Sequence, residues 1–375
     1  MRNRLYTSVS GAVIVNALVF LIIACAFALS HLDADRYYRT VQEDELLEWA
    51  TFWAFVLAAS LSIQAALLEW RDRQALPWFL SGIAVFCLFV ALEEISWGQR
   101  IFGYRPPVYF LDQNYQQEFN LHNVVETRLR KLALQAVILG YGVFLPLLQL
   151  APKVGPLLDR LRVVAPPLGL VPVFLAAYAL YTWYPLRHTG EWVELILGLG
   201  FLFPALLAVF NYRTTSDAGE SGKPPARIYL ISATAVISLG FLTTVATRHQ
   251  AQTHPGNVTA VRAELRALGT DFRSGKLRQR CDLHKRLYTF VRQYGQDYLF
   301  DGAFSNLVAQ GLPQERADFF LDPWNSPYWV RDSCASRSGP RTTFVYSLGP
   351  NRRRDSTRYE ILDDDIGEYI RPARR

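Results

Sequence analysis

Residues 8–30 read SVSGAVIVNALVFLIIACAFALS, a run without a single charged side chain. A bilayer core about 30 Å thick takes roughly 20 residues of α-helix, so this run is long enough to cross one. It is too long, and lacks the small-residue cleavage pattern, to be read as a removable signal peptide. Six more apolar stretches follow, at residues 48–68, 77–97, 131–151, 163–184, 192–211 and 228–247, joined by short polar connectors. Any one of them fits a buried helix of a soluble protein; seven in succession do not. The expected architecture is therefore a polytopic α-helical membrane bundle of seven spans over residues 1–247, with residues 248–375 forming a separate domain.

Composition agrees with this division. Of 375 residues, 51% are hydrophobic, 14% aromatic and only 19% charged, which excludes an intrinsically disordered, collagen-like or coiled-coil chain. Residues 1–247 carry 18 basic and 18 acidic side chains and residues 248–375 carry 21 and 15, so the whole net charge of +6 belongs to the tail. The basic residues are overwhelmingly arginine, which reads as genome composition. Without a recognition motif the basic tail points to no nucleic acid; anionic lipid headgroups or an acidic protein are simpler partners.

Short basic loops tend to stay in the cytoplasm. With the N-terminus inside, cytoplasmic segments hold ten Lys and Arg residues against eight outside, among them the opposing Arg128, Arg130 and Lys131 cluster. Cys25 and Cys87 fall within spans. Cys281 and Cys334 are the pair placed to form a disulfide, which would require an oxidising compartment, although two reduced thiols fit the sequence as well.

In the tail, residues 258–293 read as one helix, from Val258 through Leu265, Leu268 and Phe272 to Phe290, ended by Gly295. Beyond it come Asp322-Pro323-Trp324-Asn325-Ser326-Pro327-Tyr328-Trp329-Val330, then Tyr346-Ser347-Leu348-Gly349-Pro350-Asn351, then Asp363-Asp364-Asp365-Ile366-Gly367. Aromatic and β-branched residues between Pro, Gly and Asn predict short antiparallel strands joined by turns.

These three elements, in this order, resemble the major pseudopilin of type II secretion systems. Its C-terminal domain has a DPW-x-NPY turn, a YSLG-x-D strand end and a final DD-I segment; Ser326 stands for the turn's Asn. The resemblance covers about residues 258–370. It implies a C-terminal α+β pseudopilin-like domain, a long helix on a small antiparallel sheet, with calcium in the loop between the last strands, held by Asn351, Asp355, Asp363 and Asp364. It further implies a periplasmic position for the domain, a bacterial inner membrane for the bundle, and secretion or pilus-like envelope proteins as partners. Two departures stand out. No prepilin cleavage site precedes residue 228, and Asn351 replaces the usual Asp and is followed by Arg352, Arg353 and Arg354.

The membrane part holds ionisable residues that by default mark function or a specific pairing. Glu45 and Glu48, Glu93 and Glu94, Glu118, His122 and Glu126, and His188, Glu191 and Glu194 gather at the expected outer ends of spans. The spacing of Glu118, His122 and Glu126 puts them on one face if that segment is helical. Glu93 and Glu94 sit at the C-terminal end of their span, where the helix dipole disfavours negative charge; Arg100 is the expected counter-ion. The amide-rich residues that follow, up to Asn123, read as a re-entrant loop.

Three chemistries fit this cluster. Glu93, Glu94, His122 and His188 could bind zinc or another divalent metal and activate water for hydrolysis. The same groups could relay protons or bind a substrate for transport. Alternatively, the carboxylates cap helices and pair with nearby arginines. Whether the chain is an enzyme is open at this level; the leading expectation is a protein that presents its tail domain for interaction.

Overall fold

The computed structural model describes residues 2–42, 45–216, 255–274, 281–294, 314–334 and 341–371. The helices, in chain order, are α1 (Arg2–Leu32), α2 (Ala34–Thr40), α3 (Leu46–Arg73), α4 (Trp78–Glu94), α5 (Gln99–Phe102), α6 (Val108–Gln113), α7 (Thr127–Leu139), α8 (Leu145–Gln149), α9 (Gly155–Arg160), α10 (Val171–Trp183), α11 (Thr189–Ser216), α12 (Pro255–Ser274), α13 (Leu287–Tyr294) and α14 (Gln314–Ala317). Four strands follow the same order: β1 (Leu283–Arg286), β2 (Trp329–Cys334), β3 (Arg341–Ser347) and β4 (Ile366–Arg371). The chain divides into two compact units, and the division is not the expected one at residue 247. Residues 98–124 separate from the helices on either side of them and join the tail.

The first unit is helical. Four of its helices are long and apolar enough to cross a membrane: Gly11–Leu32, Leu46–Arg73, Thr127–Gln149 and Thr189–Asn211. The third joins α7 to α8 through a π-helical turn at Gly140–Phe144. Of the other three expected spans, α4 has 17 residues. At 1.5 Å per residue that is about 26 Å, a little short of a bilayer core. The next is the shorter apolar helix Leu168–Trp183, and residues 228–247 lie outside the described residues.

Helix α3 is the centre of this unit, packed between α4 and α11. Phe52, Phe55, Ala58 and Ala59 meet Cys87 and Ala91 of α4 and Val193, Ile196, Leu197 and Phe201 of α11 in one buried cluster. Small residues permit the close approach, as they do in membrane helix pairs generally. A Cβ on Gly198 would come within 2.8 Å of the Ala54 methyl, and one on Gly142 within 2.0 Å of the Phe174 ring. Leucine, valine and phenylalanine side chains remain exposed around the outside, including Val13, Leu21, Leu67, Val85 and Leu147. Such an apolar exterior is compatible with lipid contact.

The second unit is an antiparallel sheet in the order β1-β2-β3-β4 with α12 lying against β3 and β4. In register, Arg286 faces Trp329, and Trp329 faces Tyr346. Because side chains alternate across a strand, Val330, Val345 and Ile370 point to the helix face, where Val261, Leu265, Leu268 and Phe272 of α12 meet them. Trp329, Phe344 and Tyr346 form a second buried cluster on the reverse face with Leu348.

The tail helix is shorter than expected. Its described part is Pro255–Ser274, and Leu283–Arg286 is a strand, so the expected single helix 258–293 gives way to two helices with β1 between them. A bond joins Cys281 and Cys334, whose Cα atoms are 5.0 Å apart. It ties the chain to the end of β2 just before β1 begins, and the four β1 residues then pair with β2. The strands expected around Trp329, Tyr346 and Ile366 are present.

Candidate functional site

Residues 98–124 acquire their conformation from local backbone and amide chemistry. Ser96, Trp97 and Gly98 are successive left-handed residues, with φ of 47°, 55° and 80°, and α4 cannot continue through them. Asn side chains compete with helix formation by bonding nearby backbone. Asn114 accepts the Gln116 N–H at 2.8 Å and donates to the Glu118 carbonyl at 2.7 Å and to Asn120 Oδ1 at 2.8 Å. Gln117 is left-handed, with φ of 56°. The residues from Glu118 to Val124 are turns, so Glu118, His122 and Glu126 do not share a helical face as their spacing predicted.

The segment is part of the sheet domain, not a re-entrant loop with its own partners. Glu118 Oε1 accepts Arg286 Nη2 at 3.0 Å, with the two side chains only 4% and 5% exposed. The Arg286 guanidinium also lies over the Trp329 ring, 4.6 Å from its centre. Tyr288 donates its hydroxyl to Asp112 at 2.6 Å, and Arg292 pairs with the same carboxylate at 3.1 Å. These contacts hold the Asp112 carboxyl below its ordinary range, the Tyr288 hydrogen bond contributing most. Gln117 donates to the Phe319 carbonyl at 2.9 Å, and Asn325 donates to that of Gly103 at 2.9 Å. None of these partners was identified from the sequence. The available signal was the density of amides between Asn114 and Asn123, which need folded partners once buried.

The reverse face of the sheet is an arginine and aromatic layer. His284 stacks on Trp329 at 4.6 Å, and its Nε2 is 2.6 Å from the Tyr346 hydroxyl. Burial first, and then the charges of Arg331, Arg354 and Arg286, push the His284 pKa well below its ordinary value, so the ring stays neutral. Around it, Arg331 and Arg352 are also buried. The arrangement is a buried aromatic and arginine layer centred on His284.

The Asp322 turn, quoted above for its resemblance, is built as a closed hydrogen-bond unit. Asp322 Oδ1 accepts the Trp324 and Ser326 N–H groups, both at 2.9 Å, and Oδ2 accepts the Ser347 hydroxyl at 2.6 Å. Burial nevertheless pushes the carboxyl up to about 6.

The four expected calcium ligands come from one loop. Asn351 takes its backbone N–H to Asp364 Oδ2 at 2.8 Å and its amide to Asp355 Oδ2 at 2.8 Å. Asp365, which was not among the expected ligands, accepts the Asp355 and Ser356 N–H groups at 3.1 and 2.7 Å, and its carboxyl is pushed up to about 7 by burial. Gly349, at φ 67°, is required here because a Cβ would stand 2.0 Å from the Asp364 carbonyl oxygen. Asp363, Asp364 and Asp365 line one side of an open cleft of about 560 Å³, and Arg262 and Arg266 of α12 line the other. The loop offers several carboxylate oxygens, the donor type calcium takes.

The membrane-side candidates divide between the two units. Glu93, Glu94 and His188 belong to the helical unit and His122 to the sheet unit. Glu93 is buried and accepts the Trp97 indole N–H at 2.6 Å. Glu94, at the C-terminal end of α4, lies within electrostatic reach of Glu93 and of Glu191 and Glu194 on α11. His188 is left-handed, just before α11, with its ring edge on Tyr38. Glu45 and Glu48 stand at the N-terminus of α3, where carboxylates complement the helix dipole. The Arg100 side chain lies outside what is described. Among the described residues, no group of three or more His, Cys, Asp or Glu side chains is arranged to hold a metal ion.

No protein-family model matches this chain, and neither a curated protein nor a solved structure is significantly similar to it.

Proposed function

We propose that this chain is a bacterial inner-membrane protein that holds a folded α+β domain in the periplasm for recognition by other envelope proteins. The observation carrying this reading is the buried Glu118–Arg286 pair. It makes residues 98–124, which connect two apolar helices, an integral part of the tail domain. A domain built from an inter-helix loop and a tail cannot be released as a free subunit; it is a platform fixed to its anchor. Its surface offers shape and charge: a sheet with β4 at one edge and the Asp363–Asp365 cleft faced by Arg262 and Arg266.

Sidedness follows from connectivity. Segment 98–124 and the tail form one unit and so share a side of the membrane. The number of crossings between them is therefore even. Two long helices, Thr127–Gln149 and Thr189–Asn211, intervene, so the shorter helix Leu168–Trp183 and residues 228–247 either both cross or both do not. In the seven-span reading both cross, and the N-terminus is cytoplasmic. The Cys281–Cys334 disulfide supports an oxidising compartment for the domain.

On this reading the tail is pseudopilin-like, its partners belong to a type II secretion or pilus-like assembly, and calcium orders the Asp363–Asp365 loop. The test is photo-crosslinking in native membranes from Leu362 and Tyr369, both partly exposed beside the cleft and on β4. A discrete adduct with an envelope protein, removed by chelating calcium or by Asp364→Ala, supports the reading. Cross-linking only to lipid refutes it.

A second reading, a membrane-embedded metal-dependent hydrolase, retains one favourable observation, the gathering of Glu93, Glu94, Glu191 and Glu194. Near-stoichiometric zinc in the purified chain, lost on Glu94→Gln, would select it.

A further inference from the structure

We infer that the groove between α3 and α4 is a binding site for one anionic phospholipid of the bilayer, its acyl chain in the groove and its phosphate at the arginines of the α3–α4 turn. The groove is a consequence of side-chain size. Ala66 on α3 and Ala84 and Ser81 on α4 make a shallow floor, while Ile63, Leu67 and Trp70 on one helix and Val85 and Leu88 on the other stand up as walls. The floor alanines are buried, at 5% and 4% exposure, whereas Leu67, Trp70 and Val85 are each more than half exposed. The groove is open to the outside, its volume is about 440 Å³, and the lining is almost wholly apolar. This lies within the range of about 300–1,000 Å³ over which small-molecule sites are found.

One end of the groove has a different chemistry. Leu76 and Pro77 close it, and there α3 finishes on Arg71 and Arg73. Arg162 reaches the same place, its Nη1 donating to the Leu76 carbonyl at 3.3 Å. The Trp78 indole N–H, bonded to the Leu161 carbonyl at 2.7 Å, fixes the neighbouring loop against the start of α4. The charged residues of the chain segments that meet here are Arg71, Arg73, Arg160 and Arg162 against Glu69, Asp72 and Asp159, with Glu69 buried at 1% exposure. Asp159 is already engaged by the Gln149 amide. Trp70 is in the last turn of α3, the end of a span where indole rings favour the membrane interface. An apolar channel of acyl-chain character that opens on clustered arginines matches a lipid with a negative headgroup better than a zwitterionic one.

The inference rests on the membrane reading, and the test separates the two. The full chain is purified in detergent and delipidated. It is then offered phosphatidylglycerol or phosphatidylcholine with identical acyl chains, and retained lipid is counted by native mass spectrometry. The expected result is one phosphatidylglycerol held at least tenfold more tightly than phosphatidylcholine. Ala84→Phe, which fills the floor, should weaken both lipids at least tenfold. Arg71→Gln with Arg73→Gln, both exposed, and Arg162→Gln, half-buried, should remove the headgroup preference while leaving phosphatidylcholine binding unchanged. Equal retention of the two lipids, or an Ala84→Phe chain that binds like the parent, overturns the site. So does a dimer that Ala84→Phe dissolves, since the occupant is then a second chain. Recovery of the protein in the soluble fraction of washed cells would instead refute the membrane reading itself.

Discussion

Replacing Glu118 with alanine removes the carboxylate that pairs with a guanidinium only 5% exposed beneath the sheet's reverse face. The wild-type contact is a 3.0 Å ion pair, with Arg286 also stacked on Trp329 at 4.6 Å. Removing one member of a buried pair leaves an uncompensated charge and costs about 3–5 kcal/mol. Domain stabilities are about 5–15 kcal/mol, so Glu118→Ala should lose a large part of the sheet unit's stability, a shift of roughly a hundredfold or more in its unfolding equilibrium. The assay is pulse proteolysis of the full chain in detergent across a urea series, reading the fragment that carries β1 to β4. A double variant, Glu118→Leu with Arg286→Met, should recover most of the loss, because an apolar pair of similar volume needs no desolvation of charge. If Glu118→Ala changes stability by less than about 0.5 kcal/mol, as an ordinary surface substitution does, residues 98–124 are not part of the domain and the fixed-platform argument fails.

Further expectations follow from the same unit. Cys281→Ser with Cys334→Ser opens a loop closed across a sequence separation of 53, which chain-entropy reasoning values at about 4 kcal/mol; non-reducing electrophoresis with alkylation checks the bond and urea midpoints check the loss. Asp322 has a carboxyl raised from 3.8 to about 6, so the folded state holds its proton more tightly than the unfolded one. Its contribution should be greatest below about pH 4 and fall by about 3 kcal/mol in all as pH rises through 6, whereas Asp322→Asn should remove that slope. Gly349→Ala should lower the urea midpoint, since it combines a left-handed backbone with a Cβ 2.0 Å from the Asp364 carbonyl. Millimolar calcium should raise the melting temperature of the sheet unit, and Asp364→Ala should abolish the rise.

Hydrophobic length made the helical unit legible: an uncharged run such as 8–30 admits few alternatives, and α1, α3, α7 with α8, and α11 fall where the runs do. Alternating aromatic and β-branched residues made β2 and β3 legible in the same way. What remained hidden depended on partners distant in sequence. Glu118 and Arg286 are 168 residues apart, and nothing in the local pattern of either announces the other. The helix expected through residue 293 failed for a similar reason. Apolar periodicity continues past Ser274, but Leu283–Arg286 pair with β2 instead, beside the Cys281–Cys334 bond. At Glu118, His122 and Glu126 the fourfold spacing misled, because Asn114 and Asn120 supply local hydrogen bonds that favour turns over helix.

The most direct test of the account is the sidedness of the two segments that make the sheet unit. In a chain with Cys25 and Cys87 replaced by serine, single cysteines are introduced as Leu121→Cys and Leu362→Cys, both at exposed positions. Intact cells with a permeabilised outer membrane are then treated with a membrane-impermeant maleimide. Equal labelling of both positions from the periplasm is predicted; labelling of either one only after the inner membrane is broken would contradict the account.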